Sequence, residues 1–457
     1  MTDQPDASAT PAATPVGTGA PRAGAVAPAP ARVRTARLLA LAALLGGVVS
    51  VVAYVFVVLV HEATHLVWVA LPGLWGADEP PAWWVVTVLV VGAAAVHGAV
   101  RLPGHGGHHP LDGLAFDIGP RALGSTLLAA LATLVAGAVV GPEAPLLAIG
   151  TALALTVSTR VARGEVQPLV LATAAAALGV VFGNPLVTGI LVLESLVLAG
   201  EQVGRRELLL HRLLPLLAAL GTGYVVRVGL GGWTGVPVPS LAIDGLEAYP
   251  SALVVDLLVG VPLALAVAAL VIGATSGATW LRGHAGSRPL AALLTGALAV
   301  AALALAVRAA TGEPVTMVLF SGQSDLGAAV RLTGVGALLA VAAAKALAYG
   351  LSLGAGFRGG TVFPAVFVGA TLGAAAHALV PATSLPGLVA VGIAAGTGAV
   401  LALPFTAVLL AVLTLSPAGA AVTVPAVLGS VLAVVATTAA ADRSARRRAA
   451  QSLVTGE

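Results

Sequence analysis

The sequence predicts an all-α, polytopic integral membrane protein, and three features carry that prediction. Hydrophobic residues fill 58% of the 457 positions and charged residues only 9%, far below the roughly 25% charged of soluble domains. The apolar residues fall in long blocks separated by short polar or Gly/Pro-rich breaks, as helices in lipid require. Glycine is abundant at 56 and aromatic residues make up only 4%, which suits helices packed through small residues rather than a β-barrel with alternating strands and aromatic rims. There is no cysteine, so disulfides, thiolate catalysis and thiolate-held metals are excluded. The net charge of +3 comes from few residues, mostly arginines in loops and tails. Without a basic stripe interleaved with aromatics, no nucleic-acid partner is expected, nor is any cofactor.

Taken in order, residues 1–35 are dominated by Ala, Pro, Thr and Gly without apolar periodicity, and a disordered cytoplasmic tail is expected there. Arg32, Arg34 and Arg37 precede the first apolar block, so the positive-inside bias sets the amino terminus in the cytoplasm. That block begins near Leu38 and is too long for the core of a signal peptide. Apolar blocks follow at 38–60, 82–100, 125–140, 146–157, 169–181, 185–199, 208–226, 252–274, 290–309, 327–353, 361–379, 388–403, 405–415 and 422–440. Several fall short of the roughly 20 residues of a full span, so part of the set should enter the bilayer without crossing it. Arg101, Arg160 with Arg163, Arg205 with Arg206, Arg282 with Arg288, and the tail of Arg443, Arg446, Arg447 and Arg448 are assigned to the cytoplasm. The polar connection 229–250 carries Asp244 and Glu247 and no basic residue, which suits an extracytoplasmic linker. It separates a first membrane half, 36–228, from a second, 251–440, with a basic cytoplasmic tail over 441–457.

Each half contains one Gly/Pro-broken site, the pointer expected of an inverted repeat that binds its substrate at the midplane. In the first half, Gly141-Pro142-Glu143-Ala144-Pro145 sets a single carboxylate between two prolines with apolar runs on either side. An acid inside the membrane is expensive unless it lines a polar cavity. Pro142 suits a helix start, and a first-turn carboxylate is favoured by the helix dipole. In the second half, Gly354-Ala355-Gly356-Phe357-Arg358-Gly359-Gly360-Thr361-Val362-Phe363-Pro364 opens an apolar helix. Its glycines leave amide N–H groups uncovered at the helix start, where they can hold an anion. Lys345, the only lysine, lies within an apolar block and reads as a buried structural charge.

These residues carry a family resemblance. Residues 141–145 resemble the G-R-E-G-P box of the CLC chloride channel and proton/chloride antiporter family, and residues 359–364 resemble its G-G-x-F-x-P box. Gly104-His105-Gly106-Gly107-His108-His109-Pro110 falls where the family has G-S-G-I-P, and Phe182-Gly183-Asn184-Pro185, with Gly189-Ile190-Leu191 and Glu194, resembles its F-N-A-P-L-A-G-I-L…E-E segment. The wording is closest to a little-characterised bacterial branch of ion-transport proteins, and the resemblance spans about residues 38–440. It implies a CLC-like fold of two inverted halves with several partially spanning broken helices. It also implies transport of a small monovalent anion, chloride above all, through a channel or a proton-coupled antiporter. A homodimer in the cell inner (plasma) membrane, with both termini cytoplasmic, belongs to the same expectation. Glu143 then matches the gating glutamate, which competes with the anion and takes up a proton. The anion-binding set would be Gly141, Pro142, Ala144, Pro145, Gly359, Gly360 and the amides of Thr361 and Val362. His105 replaces the family's anion-coordinating serine, and no tyrosine follows Tyr349 to match the one in the family's last helix. The proton-relay acid pair reads Glu194-Ser195, leaving Glu194 as the proton-path candidate.

One rival reading is enzymatic. His61-Glu62-Ala63-Thr64-His65 sets two imidazoles and an acid on one helical face, as zinc peptidases require, and Leu111-Asp112-Gly113 resembles the aspartate box of intramembrane metalloproteases. It leaves both broken-helix boxes without a role.

Overall fold

In the computed structural model the described residues are 31–77, 79–113, 116–161, 166–200, 204–235, 241–249, 254–286 and 288–455, and all regular structure among them is helical. The first half contributes α1 (Ala31–His65, continued by a π-helical stretch, Leu66–Ala70), α2 (Ala82–Val100), α3 (Pro120–Ala136), α4 (Glu143–Val161), α5 (Val166–Phe182), α6 (Pro185–Leu198) and α7 (Leu214–Thr234). The second contributes α8 (Val254–Ala285), α9 (Pro289–Thr311), α10 (Val335–Ala355), α11 (Val362–Leu379), α12 (Leu385–Leu401), α13 (Pro404–Thr414) and α14 (Thr423–Thr455). Each expected apolar block contains a helix, although 327–353 is split into a short helix, Leu326–Val330, and α10 by a break at 331–334. Eight helical stretches among the described residues are long and apolar enough to cross a membrane, while six, including α3, α4, α5, α6, α12 and α13, are shorter.

Three boundaries differ from the expectation. Residues 1–30 lie outside the described residues, but 31–35 already belong to α1. The helix α7 runs to Thr234, taking the first residues of the 229–250 connection, of which 236–240 and 250 lie outside the described residues. The basic carboxy-terminal segment continues α14 as far as Thr455. Backbone hydrogen bonding propagates one residue at a time once a helix is nucleated, so hydropathy marks where lipid begins and not where the helix stops. Arg163 also lies outside the described residues.

The centre of the molecule is formed by helices that are apolar on every side. Nearly all of α5, α11 and α12 is buried, which is where a helix without a polar face must go. Glycine allows the closest crossings. A Cβ on Gly369 in α11 would run into the backbone of Gly392 in α12, and the reverse holds as well. The first half repeats the device, since a Cβ on Gly150 of α4 would meet the backbone of Ala174 in α5. Lipid offers helices no hydrophobic drive to associate, so such backbone-to-backbone contact supplies the packing energy.

Polar caps hold the broken ends. The buried Asp256 accepts from the Ser384 backbone N–H at 2.8 Å and from its hydroxyl at 2.6 Å, at the start of α12. Glu194 of α6 does the same for α13: Oε1 accepts from the Phe405 N–H at 2.9 Å, and Oε2 from the Thr406 N–H at 2.9 Å and hydroxyl at 2.7 Å. Glu194→Ala should therefore lower the stability of the detergent-solubilised protein by about 1–3 kcal/mol by orphaning these donors. Glu194→Gln, which keeps an acceptor, should fall between that variant and the wild type in a thermal melt.

Candidate functional site

The two broken-helix boxes meet. Gly141, just before α4, and Gly360, just before α11, form an antiparallel bridge in which each N–H donates to the other's carbonyl, one of the pair at 2.8 Å. Two side-chain bonds fix the segments that lead into it. The Val139 N–H donates to the Ser352 hydroxyl at 3.0 Å, and the Arg358 N–H donates to the Thr133 hydroxyl at 3.1 Å. Helix starts from opposite halves, each with unsatisfied N–H groups, are thereby aimed at one place.

Glu143 occupies that place. Only 2% exposed, it accepts at Oε1 from the backbone N–H groups of Val362 and Phe363, both at 3.1 Å. Its Oε2 has no hydrogen-bond partner and lies against the glycine bridge, because a Cβ on either Gly141 or Gly360 would collide with the carboxylate. A carboxylate on first-turn amides is stabilised by charge-assisted bonds and by the helix dipole. Any other small anion would compete for the same donors.

A cavity of about 600 Å³ runs from this point toward one face of the molecule. Glu143, Ala144, Pro145 and residues 359–362 line its deep end, and it passes Tyr349 and Arg358 to reach Gly106, His108 and His109, beside the exposed Ser276 and Thr279 of α8. Tyr349, fully buried on α10, donates its hydroxyl to the Thr361 carbonyl at 3.2 Å.

Several expected residues sit differently. The donors to the Glu143 carboxylate are Val362 and Phe363, one residue further along than the Thr361 and Val362 pair expected to hold the anion, since Thr361 is the residue that caps α11 and the free N–H groups lie in the turn beyond the cap. His105 is exposed at φ 51° and does not line the cavity, because Gly104, Gly106 and Gly107 all take positive φ and roll it outward. The same loop turns His109 inward to 8% exposure. Its Nδ1 accepts from the Leu111 N–H at 3.2 Å. Burial, then the charges of Arg358 and Arg282, push the His109 pKa down to about 4, against weaker opposing pulls from Asp112 and the Leu353 carbonyl. The ring is thus neutral, and the bond at Nδ1 puts its proton on Nε2.

Glu194, as described, caps α13, and it is its neighbour Ser195 that reaches the cavity. Lys345 is fully buried, donates to the Leu319 carbonyl at 2.6 Å and lies 4.5 Å over the Phe367 ring, away from the cavity lining. Phe363, Tyr349, His109 and Arg358 were not singled out for the site. The two aromatics carried no signal in an apolar run, whereas Arg358 and His109, polar residues beside Gly-rich breaks, did.

The protease reading fails on placement. Asp112 is committed to Arg282, whose Nη1 and Nη2 reach its two oxygens at 2.6 and 3.2 Å. These hydrogen bonds hold the Asp112 carboxyl below its usual range. Among the described residues no group of three or more His, Asp or Glu is placed to hold a metal ion.

Comparison with known proteins identifies the family and the fold. The profile described as "Voltage gated chloride channel" matches residues 99–438. The chain belongs to the voltage-gated chloride channel (CLC) family. Among its relatives is the "Putative ion-transport protein YfeO" of Salmonella schwarzengrund (strain CVM19633), 29% identical over 364 residues, covering 77% of this chain and 83% of that protein. The protein of the same name from Escherichia coli O1:K1 / APEC is 28% identical over 361 residues, covering 77% and 82%. Two solved structures share the CLC fold. A slow cyanobacterial Cl-/H+ antiporter superimposes with a TM-score of 0.70 at 19% identity, over 88% of this chain and 94% of that one. A CLC-type fluoride/proton antiporter gives 0.65 at 17%, over 87% and 94%. The two-halved, partially spanning architecture is therefore that of a multi-pass CLC membrane protein.

Proposed function

We propose that this CLC protein carries a small monovalent anion across the membrane, with the Glu143 carboxylate as its gate. The observation that carries the reading is the bonding of buried Glu143 to the Val362 and Phe363 amides, at the deep end of a cavity that leads to one face. As a carboxylate, Glu143 fills an anion position and repels others. When protonated it loses both the charge and the charge-assisted strength of those bonds, and an anion takes the donors. Oriented N–H groups replace hydration, while weak binding lets the ion leave.

Chloride is the leading ion, because the family profile is that of chloride channels, with fluoride the named substrate of one structural relative. Two relatives of the same fold are proton-coupled, which favours antiport here. The basic loops, with Arg101, Arg282 and Arg288, are assigned to the cytoplasm together with both termini, in the inner membrane. A homodimer with a separate pore in each subunit completes the reading.

Purified protein in liposomes with an imposed chloride gradient tests it. Efflux above that of protein-free liposomes is expected, and its absence for chloride, fluoride and nitrate alike would overturn the reading. Simultaneous uphill proton movement in fixed ratio would establish antiport, and dissipation without it a channel.

A further inference from the structure

Lys345 is a charge withdrawn from the cavity. It is the only lysine in the chain, sits fully buried on α10 and forms no part of the cavity wall, so an ion in that cavity does not touch it. An ammonium kept from water is costly unless polar contacts compensate for its lost hydration. Those contacts come from one segment. Its Nζ donates to the Leu319 carbonyl at 2.6 Å, and the charge that acts on it is that of Asp325, itself hydrogen-bonded by the Thr316 side chain. Leu319, Asp325 and Thr316 all belong to the connection between α9 and the short helix Leu326–Val330.

One residue beyond Leu319, that connection reaches the frame of the gate. The Phe320 N–H donates to the Gly137 carbonyl at 3.0 Å, and Gly137 ends α3 and opens the approach to Gly141 and Glu143. Phe320 stands at φ 62°, a left-handed conformation that a bulky residue holds only where its surroundings impose it. On one side its ring meets Trp68 edge-on, with centroids 5.3 Å apart, and Trp68 in turn donates Nε1 to the Val135 carbonyl at 2.8 Å. On the other side the Lys345 ammonium fixes the carbonyl just before it.

Along α10, Lys345, Tyr349 and Ser352 fall at i, i+4 and i+7, on one face of the helix. All three are fully buried, and each holds a different part of the frame around Glu143. Tyr349 takes the Thr361 carbonyl, Ser352 the Val139 N–H, and Lys345 the turn that carries Gly137.

We propose that Lys345 is a positioning residue for the gate: through the turn of Leu319 and Phe320 it holds the 137–141 approach in the register that seats the Glu143 carboxylate on the opposite amides. This deepens the transport reading and rests on it for the gating consequence only. Removing the ammonium frees the turn and loosens the approach to α4. The ionised carboxylate then loses part of its hold on the Val362 and Phe363 amides, whereas the protonated form, which accepts weaker bonds from them, loses less. Protonation becomes easier, so the gate opens at higher pH.

Liposome flux from pH 4.5 to 8 tests the proposal with Lys345→Met, whose unbranched chain fills the space without the charge. The other titratable or charged side chains that share the Glu143 cavity, His108, His109, Tyr349 and Arg358, are unaltered. The midpoint of the pH profile should rise by about one unit, or tenfold in proton affinity. Phe320→Gly keeps the left-handed turn but removes the ring that braces it, and should move the midpoint the same way. Both changes cut one link, so the double variant should shift no further than the larger single shift. A Lys345 charge acting on Glu143 through space would instead give additive shifts, which would overturn the proposal, as would an unchanged midpoint in either single variant. Should Lys345→Met fail to fold, Phe320→Gly decides by the same midpoint.

Hydrogen exchange of the detergent-solubilised protein separates this inference from the transport reading. Peptides covering 137–141 should exchange faster in Lys345→Met than in the wild type at the same pH, and equal rates would overturn the proposal. Faster exchange with no flux from the wild type would sink transport and leave the hold of Lys345 standing, whereas a wild-type pH profile kept by the variant would sink the role of Lys345 alone.

Discussion

Glu143→Gln is expected to abolish the pH dependence of anion flux. In the wild type the carboxylate must yield the Val362 and Phe363 amides before an anion can take them. The ionised side chain is the closed form and the protonated one is open, so flux should rise as pH falls. Where the protonated form is the minor one, its population changes about tenfold per pH unit. Glutamine keeps the shape and an acceptor oxygen but carries no charge, so it imitates the open form at every pH. Liposome flux measured from pH 4.5 to 8 should therefore be high and nearly flat for the variant and steep for the wild type. A variant profile as steep as the wild type's would remove Glu143 from the gate.

Gly360→Ala should act on the same carboxylate from the other side. A Cβ at this position would occupy the space of the Glu143 carboxylate, in a core already cross-linked by the Gly141–Gly360 bridge. Overpacking of this kind destabilises by about 1–3 kcal/mol and should push the carboxylate off its amides, leaving flux less dependent on pH. Because the clash is with one named side chain, Glu143→Ala should relieve it. A double-mutant cycle read by thermal unfolding in detergent should then give an interaction of about 0.5–3 kcal/mol, with the second substitution softening the first. Strictly additive losses would mean that Gly360 is needed for the bridge alone and not for the approach of Glu143.

Much of this protein was legible before any coordinates. An acid between two prolines in an apolar stretch has few structural uses, so Glu143 stood out from its surroundings alone. The glycine box announced a helix start with bare amides, and the blocks of apolar residues are helical, with 327–353 broken at 331–334. The register of contacts was not legible. That the Glu143 carboxylate takes the Val362 and Phe363 amides depends on which residue caps α11, a matter of one backbone dihedral pair. The same limit explains the exchange of His105 for His109, because three glycines at positive φ decide which histidine of the loop turns inward. Glu194 illustrates a different limit. Its chemistry suits a proton relay as well as a helix cap, and the cap became visible only from the position of α13, more than 200 residues away in the chain.

The sequence by itself determined an all-helical membrane protein in two halves, each interrupted by a site with exposed helix-start amides, because hydropathy, proline and glycine act locally and are written in the local residue order. Only the tertiary structure decided that the two interruptions join through Gly141 and Gly360 and that Glu143 takes the amides of the opposite half. Those are contacts between segments some 220 residues apart. They depend on how glycine-lined helices cross, a sum of many small packing terms that no single stretch of sequence contains.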